Sequence, residues 1–313
     1  MNDDLRDLLN IRYTKLHFDL VLVSDCTLPV FKSSALRGGI GEMLLRANCV
    51  RDRNCDVCDF RKECIVQRTM YSQFDFKPGF ITSGDSVGYV LNCENYKESF
   101  EEGETLRFTL TLFGTTIVYF NQFLQALFAL GQNGLGKDKA RFYISGVRNS
   151  RNQPVLGGSN IYMERYQIEK VSDYVNYRLG KFDRDMEQYE IIFRTPLSQK
   201  YHGEWLEEFD MQAIMKSVQR RLYILNAFEG RDEEDFYKTY YPMPEIISQQ
   251  VRPVSVMRYS NRRDQKMPLR GIKGSFTVGR LPEEVLPLLI AGELLHIGKN
   301  TSFGFGRYKI KDL

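Results

Sequence analysis

Residues 49–64 carry Cys49, Cys55, Cys58 and Cys64 in the spacing C-x5-C-x2-C-x5-C. In a reducing compartment, thiolates grouped so closely hold a soft or borderline metal rather than disulfides. Zinc suits four thiolates and closes a structural site with no open position for water. A four-cysteine iron–sulfur cluster is the alternative. Cys26 and Cys93 sit in apolar, strand-like runs and read as core residues. Acid–base chemistry near neutral pH calls for an imidazole, and the chain has three histidines. His296 ends an apolar helical run just before Gly298 and Lys299, and His202 stands beside Lys200 and Tyr201 in a polar loop. His296, Lys299, His202 and Tyr201 are therefore the candidate catalytic groups. His17 alternates with apolar neighbours in a first strand and faces solvent or a cleft between domains.

The run Gly298-Lys299-Asn300-Thr301-Ser302-Phe303-Gly304-Phe305-Gly306-Arg307 joins a helical pattern to a strand-like tail. Glycine lets backbone N–H groups approach a phosphate closely. Thr301 and Ser302 add hydroxyls, Arg307 adds charge, and the two phenylalanines offer faces for base stacking. The segment reads as a cradle for a nucleic-acid backbone, and a glycine-rich turn made for packing is the competing reading. From Arg252 to Lys273 the arginines and lysines meet a single acid, Asp264, which makes a local basic strip. Arg37 precedes two glycines at a helix start and is placed to meet a phosphate.

The elements that must position these groups repeat. In the first half, a strand over Tyr13–Val23 precedes a helix over Ala35–Arg46, capped by Ser34. Strands over Val87–Leu91 and Leu106–Phe113, a helix over Ile117–Leu130 and a strand around Arg141–Ile144 follow. The second half repeats the order with a strand at Tyr189–Phe193 and a helix over Phe209–Phe228. Strands around Val254–Arg258 and Ser275–Arg280, a helix over Glu283–His296 and a strand at Arg307–Lys311 complete it. This predicts an α+β chain of two tandem ferredoxin-like (RRM-like) domains, with the four-cysteine insertion in the first. The boundaries fall at 1–186 and 187–313, with the insertion at 49–64 and a hairpin extension at 147–186. A net charge of +3, 42% hydrophobic and 27% charged residues place the chain among globular proteins. No apolar stretch is long enough to span a bilayer, so no membrane role and a cytoplasmic location are expected.

Several of these motifs, taken in order, resemble the CRISPR-associated repeat-RNA-processing endoribonucleases of the RAMP superfamily. The likeness is strongest over Leu294–Tyr308, and Phe193-Arg194-Thr195-Pro196 and Pro268–Gly274 extend it. Leu36-Arg37-Gly38-Gly39-Ile40-Gly41 followed by the four cysteines matches a subgroup of that family. Leu112-Phe113-Gly114 and Gly134-Leu135-Gly136 also match. The resemblance implies metal-independent cleavage of CRISPR repeat RNA by 2′-OH attack, leaving a 2′,3′-cyclic phosphate, with no cofactor for catalysis and no small-molecule substrate. It implies RNA contacts from Arg37, Arg258, Arg262, Arg263, Lys266, Arg270, Lys273, Gly298, Thr301, Ser302, Gly304, Gly306 and Arg307, with other CRISPR effector subunits as possible partners. Relatives place a catalytic histidine in the first helix, and none stands between Ser34 and Arg46. A non-catalytic RNA-binding subunit of an effector complex is the alternative.

Overall fold

The computed structural model describes residues 3–55, 57–71, 74, 78–81, 87–158, 160–183, 186–260 and 265–313. The first half holds β1 (Arg12–Leu22), α1 (Lys32–Asn48), β2 (Tyr89–Asn92), β3 (Thr105–Phe113), α2 (Phe120–Asn133) and β4 (Phe142–Arg148). A helix, α3 (Val171–Leu179), leads to the second half. That half holds β5 (Gln188–Phe193), α4 (Met211–Phe228), β6 (Ile246–Ser260), β7 (Gln265–Gly279), α5 (Val285–Leu295) and β8 (Tyr308–Asp312).

The first sheet runs β2-β3-β1-β4 and the second β6-β7-β5-β8, with every one of these pairings antiparallel. In both units the strands stand in the order second, third, first, fourth, as the ferredoxin-like reading requires. Alternation decides which face is covered. Leu16, Phe18, Leu20 and Leu22 of β1 pack beneath α1 and α2, while Lys15, His17 and Asp19 point to the other face. Tyr189, Ile191 and Phe193 of β5 do the same beneath α4 and α5.

Three expectations are revised. Ser34 lies inside α1 rather than capping it, because Phe31 is the residue ahead of the helix. Buried Lys32 anchors that start, donating to the carbonyls of Pro29, Asn95 and Lys97. The short strands expected around Val254 and Ser275 are one long hairpin, paired from Ile246↔Val278 to Ser260↔Gln265. Inside the polar stretch 147–186, Val171 and Val175 turn inward and make α3 a helix of the shared core.

The second unit's core includes Leu8, Ile11, Tyr13, Val90 and Phe113 from the first half. The two units therefore share apolar packing rather than touching through a wet interface. Hydrogen bonds reinforce it: Asn226 Nδ2 donates to Leu8 O at 3.0 Å, and Arg12 N donates to Glu229 Oε1 at 2.9 Å.

Candidate nucleic-acid interface

The glycine-rich loop docks between the units, and the amides of its three glycines and of Lys299 are occupied within the protein. Gly298 N donates to Ser217 Oγ at 2.8 Å and Lys299 N to Ser198 O at 2.7 Å. Gly306 N donates to Pro196 O at 2.8 Å, and Gly304 N to Thr301 O at 2.8 Å. A side chain at Gly304, whose φ is +83°, would put Cβ 2.6 Å from Leu91 O, so close packing requires glycine there. Thr301, Ser302, Phe303 and Phe305 are buried, and the Phe305 ring meets Phe31 edge-on at 5.3 Å. In this conformation the loop is a clamp between units, and its three glycines serve packing.

His296 goes with the loop into the core. The residue is 5% exposed and Nδ1 lies 3.0 Å from Phe305 O, which makes Nδ1 the donor of a neutral imidazole. Burial drives its pKa down to about 3, against the opposing pull of the Phe305 carbonyl. Such a ring neither reaches an RNA in this conformation nor takes up a proton near neutral pH. His202 is the exposed histidine. It occupies the turn of a two-stranded hairpin, Lys200–Tyr201 with Glu204–Trp205, where His202 and Gly203 take φ of 48° and 89°. Its ring lies 4.1 Å from that of Tyr201, whose phenol is pushed up by burial and then by Asp210. Alternation sends Lys200 and Trp205 to the opposite side, where Lys299 joins them, so the four candidate groups divide.

The cations implied by the resemblance are spread along both units. The Phe303 ring takes the Arg37 guanidinium at 4.6 Å and the Arg258 guanidinium at 4.8 Å, which joins α1 to the long hairpin. Arg270 is exposed, and Lys273 lies 5.1 Å from the Tyr96 ring. Lys266 falls opposite Tyr259 near the hairpin tip. Arg262 and Arg263 lie outside the described residues. Arg307 pairs with Glu94 at the mouth of a cleft of about 350 Å³ on the open face of the first sheet.

That cleft holds groups the sequence ranked low or passed over. His17, Asp19, Arg107 and Arg148 line it with Arg307. Asp19 accepts from Arg107 Nε at 3.1 Å and from Arg148 Nη2 at 2.8 Å. Lys15 stands beside it on β1 with its pKa lowered to about 8, by burial first and then by Arg307 and Lys309. Burial, then Lys15 and Arg148, also lower His17. The signal was in the sequence: polar residues at 15, 17 and 19 share one strand face. Crowded, partly desolvated cations of this kind suit a polyanion.

Cys49, Cys55, Cys58 and Cys64 line a second cavity, of about 330 Å³. Burial raises the Cys55 thiol, and Cys64, Cys49 and Cys58 raise it further against a hydrogen bond from Gln67. Among the described residues no three cysteine, histidine or carboxylate side chains stand in an arrangement able to hold a metal, so a closed site is not shown. Among the same residues no helix is long and apolar enough to cross a membrane.

Two family comparisons divide the chain between them. Residues 9–173 match a family described as an N-terminal domain, and residues 191–308 match the CRISPR-associated endoribonuclease Cas6 family. The second match spans the glycine-rich loop and the long hairpin. Over residues 191–308 this chain is similar to the Cas6 family. A Cas6 product complex superimposes with a TM-score of 0.56 at 15% identity, covering 96% of this chain and all of that one. A Thermus thermophilus Cas6 gives 0.51 at 14% identity, covering 96% and 99%. A Cas6-RT-Cas1–Cas2 complex gives 0.59 at 11% identity over 97% of this chain, which spans 29% of that polypeptide. At these identities the shared property is the fold. An uncharacterized protein of Archaeoglobus fulgidus is 21% identical over 290 residues, covering 91% of this chain and 93% of that one.

Proposed function

We propose that this chain cuts repeat RNA in CRISPR precursor transcripts by attack of a ribose 2′-OH on the adjacent phosphate. The P–O5′ bond breaks, leaving a 2′,3′-cyclic phosphate and a 5′-OH. The observation that carries the reading is the Cas6 match over the half that holds the glycine-rich clamp. The nucleophile belongs to the substrate, so the protein supplies a base, an acid and positive charge. His202, exposed at its turn, takes the 2′-OH proton. Tyr201, beside it and held protonated by burial, donates to the leaving 5′-oxygen. Lys299, on the far side of the same narrow hairpin, offsets phosphate charge. His296 positions the loop through Phe305 O rather than touching the reacting atoms. The RNA backbone follows the cations of Lys15, Arg148 and Arg307 and of the long hairpin.

Single-turnover cleavage at saturating enzyme tests the assignment. His202→Ala should slow cutting about 10²–10⁴-fold with RNA affinity retained. A wild-type rate would remove His202 from the chemistry. The absence of a histidine from α1 favours a second reading, a subunit that binds guide RNA without cutting it. Tight binding with no product at any pH would establish that one. The four thiols line one cavity without converging, and we assign them a structural zinc ion whose binding would have to draw them together, with an iron–sulfur cluster as the other occupant to be tested. Other CRISPR proteins remain candidate partners on the same family grounds.

A further inference from the structure

The chain contains one tryptophan, and it stands in the open. Trp205 is 41% exposed on the second strand of the small hairpin. Two ammonium groups reach its ring from different elements. Lys200 Nζ, from the paired strand, lies 5.3 Å from the ring centroid, and Lys299 Nζ, from the glycine-rich loop, lies at the same distance. The mount is fixed. Leu206 N donates to Gln199 O at 3.1 Å, buried Gln199 donates to Ala213 O at 2.6 Å, and Lys299 N holds Ser198 O.

The chemistry of this patch is narrow. An exposed indole offers a flat π-face, and two cations at that face attract negative charge as well as the ring. The nearest acids turn elsewhere: Glu204 pairs with Tyr201 and alternates to the other side of the hairpin, and Glu208 receives Gln249. Glu207 is the one further exposed acid of the segment. A base in a duplex has its faces hidden by its neighbours, so the occupant must be unpaired.

We infer that Trp205, with Lys200 and Lys299, is a stacking platform for an unpaired nucleotide flanking the cut repeat. Stacking on Trp205 places the base, and the lysines take its phosphates. The platform thereby fixes where the RNA lies relative to the neighbouring His202 turn. This rests on the RNA-cleavage reading above and adds to it a nucleotide-binding position that sets register.

The lone tryptophan makes the test direct. Intrinsic fluorescence of the full chain is titrated with repeat RNA, while anisotropy of end-labelled RNA follows total binding independently. Quenching should saturate at the same RNA concentration as anisotropy. A fully paired RNA without single-stranded flanks should bind with little quenching. Trp205→Ala should weaken binding by about 5- to 150-fold, and Trp205→Phe, which keeps a ring, should weaken it less. Lys299→Ala should weaken binding and lower its salt dependence. A melting curve confirms that each variant is folded. Bound RNA with unchanged emission and a Trp205→Ala variant of wild-type affinity would overturn the platform and leave the endonuclease reading standing. The same follows if Trp205→Ala loses only a protein partner. Failure of anisotropy to show any RNA binding would overturn both.

Discussion

His296 shows how one residue can satisfy a sequence pattern and serve a different end. A histidine at a helix end, before glycines and a lysine, suits phosphate chemistry equally well whether its ring points out or in. Its direction depends on tertiary packing. Here the backbone takes φ 56° and ψ 147°, a region close to that reserved for glycine. The buried ring and its bond to Phe305 O hold it there. The consequence is a pH signature. A folded pKa of about 3 against the ordinary 6.5 means that the unfolded chain takes up a proton first as pH falls. The contribution is complete above about pH 6.5 and falls by about 1.4 kcal/mol per pH unit down to about pH 3. His296→Asn keeps a donor and tolerates positive φ. It should flatten the stability profile between pH 6.5 and 4.5 in denaturant melts and leave single-turnover cleavage near the wild-type rate.

At the scale of elements, hydrophobic periodicity made most of the fold legible. Met211, Ile214, Met215, Val218, Leu222 and Leu225 are all buried on α4, and Asp210 caps it through Ala213 N at 2.7 Å. Periodicity understated the long hairpin because much of β6 and β7 projects with both faces exposed or half-exposed, so a buried apolar face does not mark its full length. It also passed over α3, where two inward valines among polar residues are too few to mark a helix. The cysteine insertion was legible from spacing alone, yet spacing does not report whether thiols close on an ion. Elemental analysis of the purified chain should find one zinc per molecule, reduced by Cys55→Ser with Cys58→Ser, and far-ultraviolet melting should show a less stable first unit. Thiolate-to-iron absorption would reassign the cluster, and neither metal would refute the site.

The whole molecule depends on groups that long-range pairing assembles, and these no local pattern discloses. Glu293, fully buried on α5, receives Arg178 through two bonds of 3.0 Å, Lys309 at 2.8 Å, Tyr174 at 2.6 Å and Ile310 N at 2.7 Å. Burial alone would raise its carboxyl, but Arg178 and Lys309 hold it below the usual carboxylate range. This knot ties the connecting helix α3 to the last strand. Glu293→Gln should cost about 3–5 kcal/mol in chemical unfolding, because two cations lose their buried partner. Changing Lys309 to Met in the same chain should recover part of the loss. The open-face cleft with Lys15, His17 and Arg148 likewise exists only because β1 pairs with β3 and β4.

Incubation of the purified chain with a repeat-containing transcript and excess EDTA tests the central claim most directly, with both product ends analysed. The account predicts one cut per repeat, unaffected by the chelator, with a 2′,3′-cyclic phosphate on one fragment and a 5′-hydroxyl on the other. Tight binding without any cut, or cutting that stops when metal is removed, would contradict it.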